Sequence, residues 1–368
     1  MTFLATLALL IWLYLFFAHG RFWASAPELP PATPLETPDV DIIVPARDEA
    51  ATIGPVIASL LAQDYAGAFR VILVDDNSTD GTGALAGVHP RLTVITGAPK
   101  PPGWSGKLFA LSQGVAASTA PVLLFTDADI THDPRHLAAL MARLQKPRVD
   151  MVSEMVRLNC TSWAERFLIP AFVYFFQMLY PFARVNDPLA ATAAAAGGTV
   201  LIRRDALERI GGLAAIKAAL IDDVSLAQKL KIFGPIFLGH SGLAASIRPY
   251  PEPRDIFAMV ARTAFTQLRY SGALLGLTII GLALVWLAAP LALIFGHGFA
   301  FAAGLIASVL AVLSYLPTLE RYRQPKVFAL ALPFIALFYM AATISSAANH
   351  WRGTGASWKR RDYGEAAP

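Results

Sequence analysis

One cysteine, Cys160, stands in a chain of 368 residues. A lone thiol excludes an internal disulfide and any cysteine-based metal cage, and it reads most simply as a small buried apolar residue. Charge is scarce too. Only 15% of the residues are Asp, Glu, Lys or Arg, against 55% hydrophobic, which is too apolar for an ordinary soluble domain and implies membrane segments. The net charge of +4 is too small over this length to suggest a nucleic-acid partner, and near helix ends it reads as membrane-surface positive charge. A glycine-rich phosphate loop is also missing. Gly103-Trp-Ser-Gly-Lys-Leu108 contains a Gly-Lys pair, but Pro101 stands where a P-loop requires its first Gly and Leu108 where it requires Ser or Thr.

Runs without charge mark the membrane segments. Thr2 to Ala18 carries none, and at 1.5 Å per residue it reaches about 26 Å, enough for a thin bilayer. No Lys or Arg precedes this run and Arg21 follows it. That bias argues against a signal peptide, despite the cleavage-like Ala24-Ser-Ala26, and places the following domain in the cytoplasm. Residues 1–20 are therefore expected to be an uncleaved transmembrane anchor. Residues 21–38, with prolines at 27, 30, 31, 34 and 38, read as a stiff linker.

Between Arg269 and Glu320 lie fifty residues with no charge except a possible one on His297. Gly296-His-Gly298 splits them into spans 272–295 and 299–317, and 327–348 makes a third, so residues 272–348 are expected to be three transmembrane helices. Residues 256–271 read as a membrane-interface segment and 349–368 as a basic tail. Arg352, Lys359, Arg360 and Arg361 in that tail prefer the cytoplasmic side, whereas an odd number of spans after a cytoplasmic domain carries it across. Trp163 to Phe182 is aromatic but interrupted by Glu165, Arg166, Pro170 and Pro181. It fits a helix lying at the membrane surface or a buried core helix.

Residues 39–255 alternate between short β-branched runs and helical periods. Strands are expected at 41–45, 70–75, 92–95 and 122–125, with helices at 50–62, 81–86, 107–117 and 136–144. This alternation predicts an α/β fold, a doubly wound and mostly parallel Rossmann-like sheet with its ligand crevice at the strand C-termini.

Polar residues gather at those C-termini. Val122 to Phe125 leads into Asp127-Ala-Asp129, and residues two apart on an extended backbone point the same way. Two hard carboxylates with room for water and phosphate oxygens suit Mg²⁺ or Mn²⁺; the plain alternative is a strand-to-helix turn in which Asp133 caps a helix opening at Pro134. Pro45, Arg47 and Glu49 follow the first strand and Asp75-Asp76 the second, where they can bond a nucleobase and ribose. Asp80-Gly81 equally supports a simple Asx turn. Lys107, at a helix start, can reach a diphosphate or stand as a solvated lysine. Gly197-Gly198 enters a strand and lets a ligand approach the backbone. Asp222-Asp223 opens a helix, where Asp222 suits the N-cap and Asp223 a general base. Arg269 and Tyr270 precede the first C-terminal span. They are either interfacial anchors or a phosphate ligand and a substrate-packing ring.

Taken in order, these elements resemble the family 2 glycosyltransferases, membrane-bound inverting enzymes of GT-A fold. The resemblance covers about residues 39 to 271. It rests on the proline-ended first strand, Asp75-Asp76 with Asp80-Gly81, Asp127-Ala-Asp129, Gly197-Gly198, Asp222-Asp223 and Gln267-Leu-Arg-Tyr270. Gly103-Trp-Ser-Gly-Lys107 and Ser357-Trp-Lys-Arg-Arg-Asp-Tyr363 are similar to the branch holding carotenoid and hopene-associated glycosyltransferases. The resemblance implies a nucleotide-diphosphate sugar donor, with a UDP-hexose expected, and Mg²⁺ or Mn²⁺ as cofactor. It implies donor contacts from Pro45, Arg47, Glu49, Asp76, Lys107, Asp127 and Tyr270, with Asp129 and Asp127 on the metal. Asp223 would be the base, Arg269 would steady the departing diphosphate, and Gly197, Gly198 and Asp222 would face the acceptor. A membrane lipid acceptor, the bilayer of a bacterial-type inner membrane and a cytoplasmic catalytic domain complete the expectation. Processive polysaccharide synthases carry Gln-Gln/Arg-x-Arg-Trp where this chain reads Thr266-Gln-Leu-Arg-Tyr270, which favours transfer of a single sugar. A metal-dependent nucleotidyltransferase is the rival class, and it has no need of Asp223.

Overall fold

The computed structural model describes residues 1–25, 27–145, 147–353, 357–358 and 361–362. Most of the expected basic tail, with Lys359, Arg360 and Tyr363, lies outside the described residues. The chain divides into two compact units, one built from the described parts of 26–159 and 184–249 and the other from 1–25, 160–183 and 250–353.

The first unit is a mixed, mostly parallel α/β sheet of nine strands. In chain order they are β1 Glu28–Leu29, β2 Val40–Ala46, β3 Phe69–Asp75, β4 Leu92–Thr96, β5 Val122–Thr126, β6 Ile130–His132, β7 Met151–Arg157, β8 Thr199–Arg203 and β9 Ile236–Ser246. They lie side by side as β1-β9-β7-β8-β5-β2-β3-β4, with β6 paired to β9. β2, β3, β4 and β5 are mutually parallel, whereas β8 runs antiparallel to both β5 and β7. All seven residues of β2 and all five of β5 are buried, as strands covered on both faces must be. The pairing of β2 with β5 stops at Ile43 and Phe125. Beyond that point the two strands part, and Pro45, which has no N–H to donate, sits past the end of that ladder. The crevice between the parted ends is the expected ligand position for such a sheet.

At the opposite ends of the same strands a different cluster closes the sheet. Asp41 on β2 takes two bonds from Arg70 on β3, of 2.6 and 3.0 Å, and one of 2.6 Å from the Ser118 hydroxyl.

The second unit is helical and apolar. Two helices, Phe299–Arg321 and the stretch Lys326–Trp351, are long and apolar enough to cross a membrane. The expected span 272–295 is two helices, Gly272–Trp286 and Ala288–Phe295, bent by 43°. Thr2–Ala18 is a shorter apolar helix. Small residues line its packing seam, with Ala5, Ala292, Ala300 and Ala303 forming one cluster, since close approach of backbones is what holds apolar helices together.

Trp163–Leu179 belongs to this unit and shows one buried face. Tyr174 is fully buried, and its hydroxyl lies 2.6 Å from that of Ser314. That face is core, while Trp163 and Leu179 stay exposed. Cys160 is half-buried rather than enclosed, with its thiol 3.6 Å from the Glu165 carbonyl.

Candidate active site

The loops after β2 and β3 interlock. The Glu49 amide donates to Thr82 Oγ1 at 2.8 Å, the Asp48 amide to Ser78 Oγ at 3.0 Å and the Thr79 amide to Asp48 Oδ1 at 2.8 Å. Asp48 and Asn77 turn through the left-handed region, with φ of 50° and 55°, which short polar side chains tolerate. Asp80 accepts from Ala50 and Thr82, and Asp75 from Ser78, so both act in turns as the Asx alternative expects. Asp76 is buried, and Arg47 pairs with it at 3.8 Å while donating to its carbonyl.

β5 ends at Thr126, so Asp127 to Asp129 form a turn rather than an extended run. Strand alternation therefore does not aim the two carboxylates. Asp127 goes to Lys107, at 2.8 Å. Asp129 takes a 2.8 Å bond from Arg248 and a 3.2 Å bond from the Ser246 hydroxyl. The two carboxylates remain close enough for their charges to repel. Arg248 also reaches Glu49, at 2.5 Å, so one guanidinium joins the loop after β2 to the end of Asp127-Ala-Asp129.

Lys107 stands in the first turn of the helix Gly106–Ala116, which Ser105 caps through a 3.2 Å bond from the Leu108 amide. Its ammonium lies between Asp127 and Asp222, 3.2 Å from the latter. Burial lowers its pKa, but the two carboxylates outweigh that and hold it above the ordinary lysine value. It is thus an ion-paired site residue, not a solvated lysine.

Asp222 and Asp223 open the helix Asp222–Lys231, whose N-cap is Ile221 without a side-chain cap bond. Asp222 is therefore the first helical residue and partner of Lys107, not the cap. Burial pushes the Asp223 carboxyl up to about 7, and the carboxylate of Asp222 beside it adds to the rise. The Gly197 backbone beside it works the other way and draws the carboxyl down. A side chain at Gly197 would start 3.3 Å from both Asp223 Oδ2 and Lys107 Nζ, and one at Gly198 would meet Val156 at 2.9 Å. Gly198 needs glycine for space, whereas a side chain at Gly197 would press on both charged groups. Lys107, Asp127, Gly197, Asp222 and Asp223 line one cavity with Pro45 and Phe125.

Arg269 and Tyr270 belong to the helical unit. Both follow the helix Ala264–Gln267 in left-handed conformation, with φ of 51° and 56°. The Tyr270 ring stacks on His350 at a centroid distance of 4.4 Å.

Among the described residues no group of three or more His, Cys, Asp or Glu is arranged to hold a metal ion. The donor set nevertheless fits a hard cation that completes its shell from a ligand. Asp127 and Asp129 are two adjacent carboxylates, each held by a cation through one oxygen, and diphosphate oxygens and water would supply the rest.

Residues 41–211 match the family described as Glycosyl transferase family 2. This stretch, somewhat under half of the chain, is similar to family 2 glycosyltransferase domains, and the mixed, mostly parallel sheet around it is like that of GT-A glycosyltransferases. An uncharacterized glycosyltransferase of Mycobacterium tuberculosis is 33% identical over 107 residues, which is 29% of this chain and 44% of that protein. The beta-monoglucosyldiacylglycerol synthase of a Nostoc species is 26% identical over 200 residues, 53% of this chain and 42% of the relative. This chain thus spans less than half the length of either. Among solved structures, the mannosyltransferase PcManGT of Pyrobaculum calidifontis, in complex with GDP-Man and Mn²⁺, superposes with a TM-score of 0.57. That match has 21% identity over 97% of this chain and all of the other, a likeness of fold.

Proposed function

We propose that the protein is a membrane-bound inverting glycosyltransferase. It moves one sugar from a nucleotide-diphosphate sugar to a membrane lipid, at the cytoplasmic face of a bacterial-type inner membrane. The observation that carries this reading is Asp223, a carboxyl pushed up to about 7 in the same cavity as Lys107 and Asp127. A base tuned near neutrality and a cation suited to a diphosphate would serve the two ends of one displacement.

Asp223 takes the proton of the acceptor hydroxyl as that oxygen attacks the anomeric carbon. The bond from that carbon to the diphosphate oxygen breaks on the opposite face, the nucleoside diphosphate leaves, and the configuration inverts. Lys107 offsets the charge that gathers on the leaving group, and Arg269 steadies it. Pro45, Arg47, Glu49, Asp76 and Tyr270 hold the donor, while Gly197, Gly198 and Asp222 face the acceptor. Mg²⁺ or Mn²⁺, held by Asp129 and Asp127, supplies charge neutralisation at the diphosphate when bound.

The lipid acceptor is supported by the similarity to the Nostoc beta-monoglucosyldiacylglycerol synthase and by the two helices able to cross a membrane. A hopanoid-type or polyisoprenoid alcohol is the acceptor class we favour, and a UDP-hexose the donor. If the bent pair 272–295 enters and leaves by one face, the basic tail stays cytoplasmic. Purified protein incubated with membrane lipid extract and a panel of radiolabelled nucleotide sugars, UDP-hexoses and GDP-mannose included, tests this. Label should pass into organic solvent as a singly glycosylated lipid. Label appearing as a water-soluble oligosaccharide, or release of pyrophosphate, overturns it.

A further inference from the structure

A chain of four buried side chains starts at Thr126, in the wall of the cavity, and leads away from it; it is absent from the chemistry above. Thr126 Oγ1 donates to the Gly198 carbonyl at 2.9 Å and lies 3.0 Å from His132 Nε2. His132 Nδ1 is 2.8 Å from His136 Nδ1, and His136 Nε2 is 2.6 Å from Glu154 Oε2. Thr126, His132, His136 and Glu154 are each at most 6% exposed.

The protons of this chain can be counted from one end. A hydroxyl has a single proton, and a carbonyl can only accept, so the Thr126 proton points to Gly198. His132 Nε2 must then donate to Thr126, which leaves its Nδ1 to accept. His136 Nδ1 therefore donates to His132, and a fourth proton lies in the short contact between His136 Nε2 and Glu154. His132 is neutral in this arrangement, in keeping with burial and the nearby His136 holding its pKa well below the ordinary histidine value. Glu154 Oε1 is buried without a hydrogen-bond partner, so every fixed point of the carboxyl comes from His136.

The far end of the chain is what gives it a role. The Gly198 carbonyl accepts from Thr126 and also from the Asp127 amide, at 3.4 Å. One residue earlier, Gly197 lies against Asp223, where a Cβ would sit 3.3 Å from Asp223 Oδ2. A single dipeptide thus touches Asp127 on one side and Asp223 on the other.

We propose that Thr126, His132, His136 and Glu154 form a positioning relay that fixes the Gly197-Gly198 dipeptide against β5, and so sets the distance between the diphosphate side of the site and its base. The proposal rests on the roles given above to Asp127 and Asp223. Thr126 lines the cavity, but its hydroxyl is engaged by Gly198 and His132, so the relay acts through the dipeptide and its effect falls on turnover. Misplacing a reacting group by about 1 Å costs on the order of 10²-fold in rate.

Thr126→Val keeps the shape and removes both bonds, whereas Thr126→Ser restores the hydroxyl. Thr126→Val should lower kcat about 10- to 100-fold while the Kd for a nucleoside diphosphate, read by calorimetry, moves less than about threefold. Thr126→Ser should recover most of kcat. In parallel, nitrogen NMR on histidine-labelled protein should find His132 protonated on Nε2 and bare on Nδ1, and Thr126→Val should shift that Nε2 signal. Wild-type kcat in Thr126→Val, equal loss in Val and Ser variants, or a His132 protonated on Nδ1 each overturns the relay. The NMR arm needs no sugar donor. A protein that transferred no sugar yet showed this tautomer would sink the proposed reaction and leave the relay standing.

Discussion

Lys107 Nζ sits 2.8 Å from Asp127 Oδ1, so the residue before Leu108 in a failed P-loop pattern is the cation of the site. It also faces Asp222 and Asp223, three carboxylates around one ammonium. Lys107→Met should therefore act on both halves of the reaction. Apparent KM for the donor should rise more than about tenfold, the scale of a lost charge-assisted bond in a buried site. The acidic limb of the pH profile should also move to higher pH, because Lys107 is what draws the Asp223 carboxyl down. An unmoved limb would separate Lys107 from the base.

The metal assignment is read by chelation. EDTA should abolish turnover, and Mn²⁺ or Mg²⁺ should restore it. Asp129→Asn should weaken binding of a nucleoside diphosphate in the presence of Mn²⁺ by at least about tenfold, with circular dichroism unchanged. Full turnover in chelator would remove Asp127 and Asp129 from that role.

Asp223→Asn keeps size and hydrogen bonding and removes basicity. Donor affinity should survive while turnover falls about 10²–10⁴-fold. A base must be unprotonated to act, and this carboxyl is pushed up to about 7, so wild-type kcat/KM should climb with pH through about 7 and then level. The same residue opposes folding there. Its raised pKa means the folded state holds the proton more tightly than the unfolded chain, so its contribution to stability declines from about pH 4 to about pH 7. Greater damage from Asp222→Asn than from Asp223→Asn would reverse the roles of the two acids.

The Asp41 cluster predicts a loss of stability alone. Burial raises the Asp41 carboxyl, but bonds from Arg70 and Ser118 outweigh it and hold the pKa below the ordinary value. Asp41→Asn should lower stability by about 2–3 kcal/mol, seen as a lower Tm, with nucleoside diphosphate affinity unchanged. The depressed pKa places this stabilisation above about pH 4, to be lost as pH falls through the folded value. A variant with wild-type Tm would show the cluster to be idle.

Much of the sheet is legible in the chain. The strands expected at 41–45, 70–75, 92–95 and 122–125 match β2 to β5 within one residue at each end, because buried parallel strands write themselves as short β-branched runs. β7 and β9 are not legible. β7 carries Ser153 and Glu154 inside, and β9 passes through Gly239, His240, Ser241 and Gly242, which hide the pattern that alternation needs. In the site, Lys107, Asp127, Gly197, Asp222 and Asp223 were each readable as candidates, and the fold brings them to one cavity. Arg248 was missed because its partners Glu49 and Asp129 lie 199 and 119 residues away. His132 and His136 left a usable signal, two histidines four apart directly after Asp127-Ala-Asp129. Glu154, which completes their chain from β7, left none.

The helix Asp222–Lys231 is gripped by lysine chemistry at both ends. At its start, Asp222 meets the ammonium of Lys107. At its finish, Lys231 Nζ donates to the carbonyls of Arg184, Val185 and Thr192, at 3.1, 2.6 and 2.8 Å. The helix is therefore a beam pinned at two supports. Neutralising Lys231, eight positions beyond Asp223 and not among the residues lining the cavity, would release the far support of the helix that carries Asp222 and Asp223.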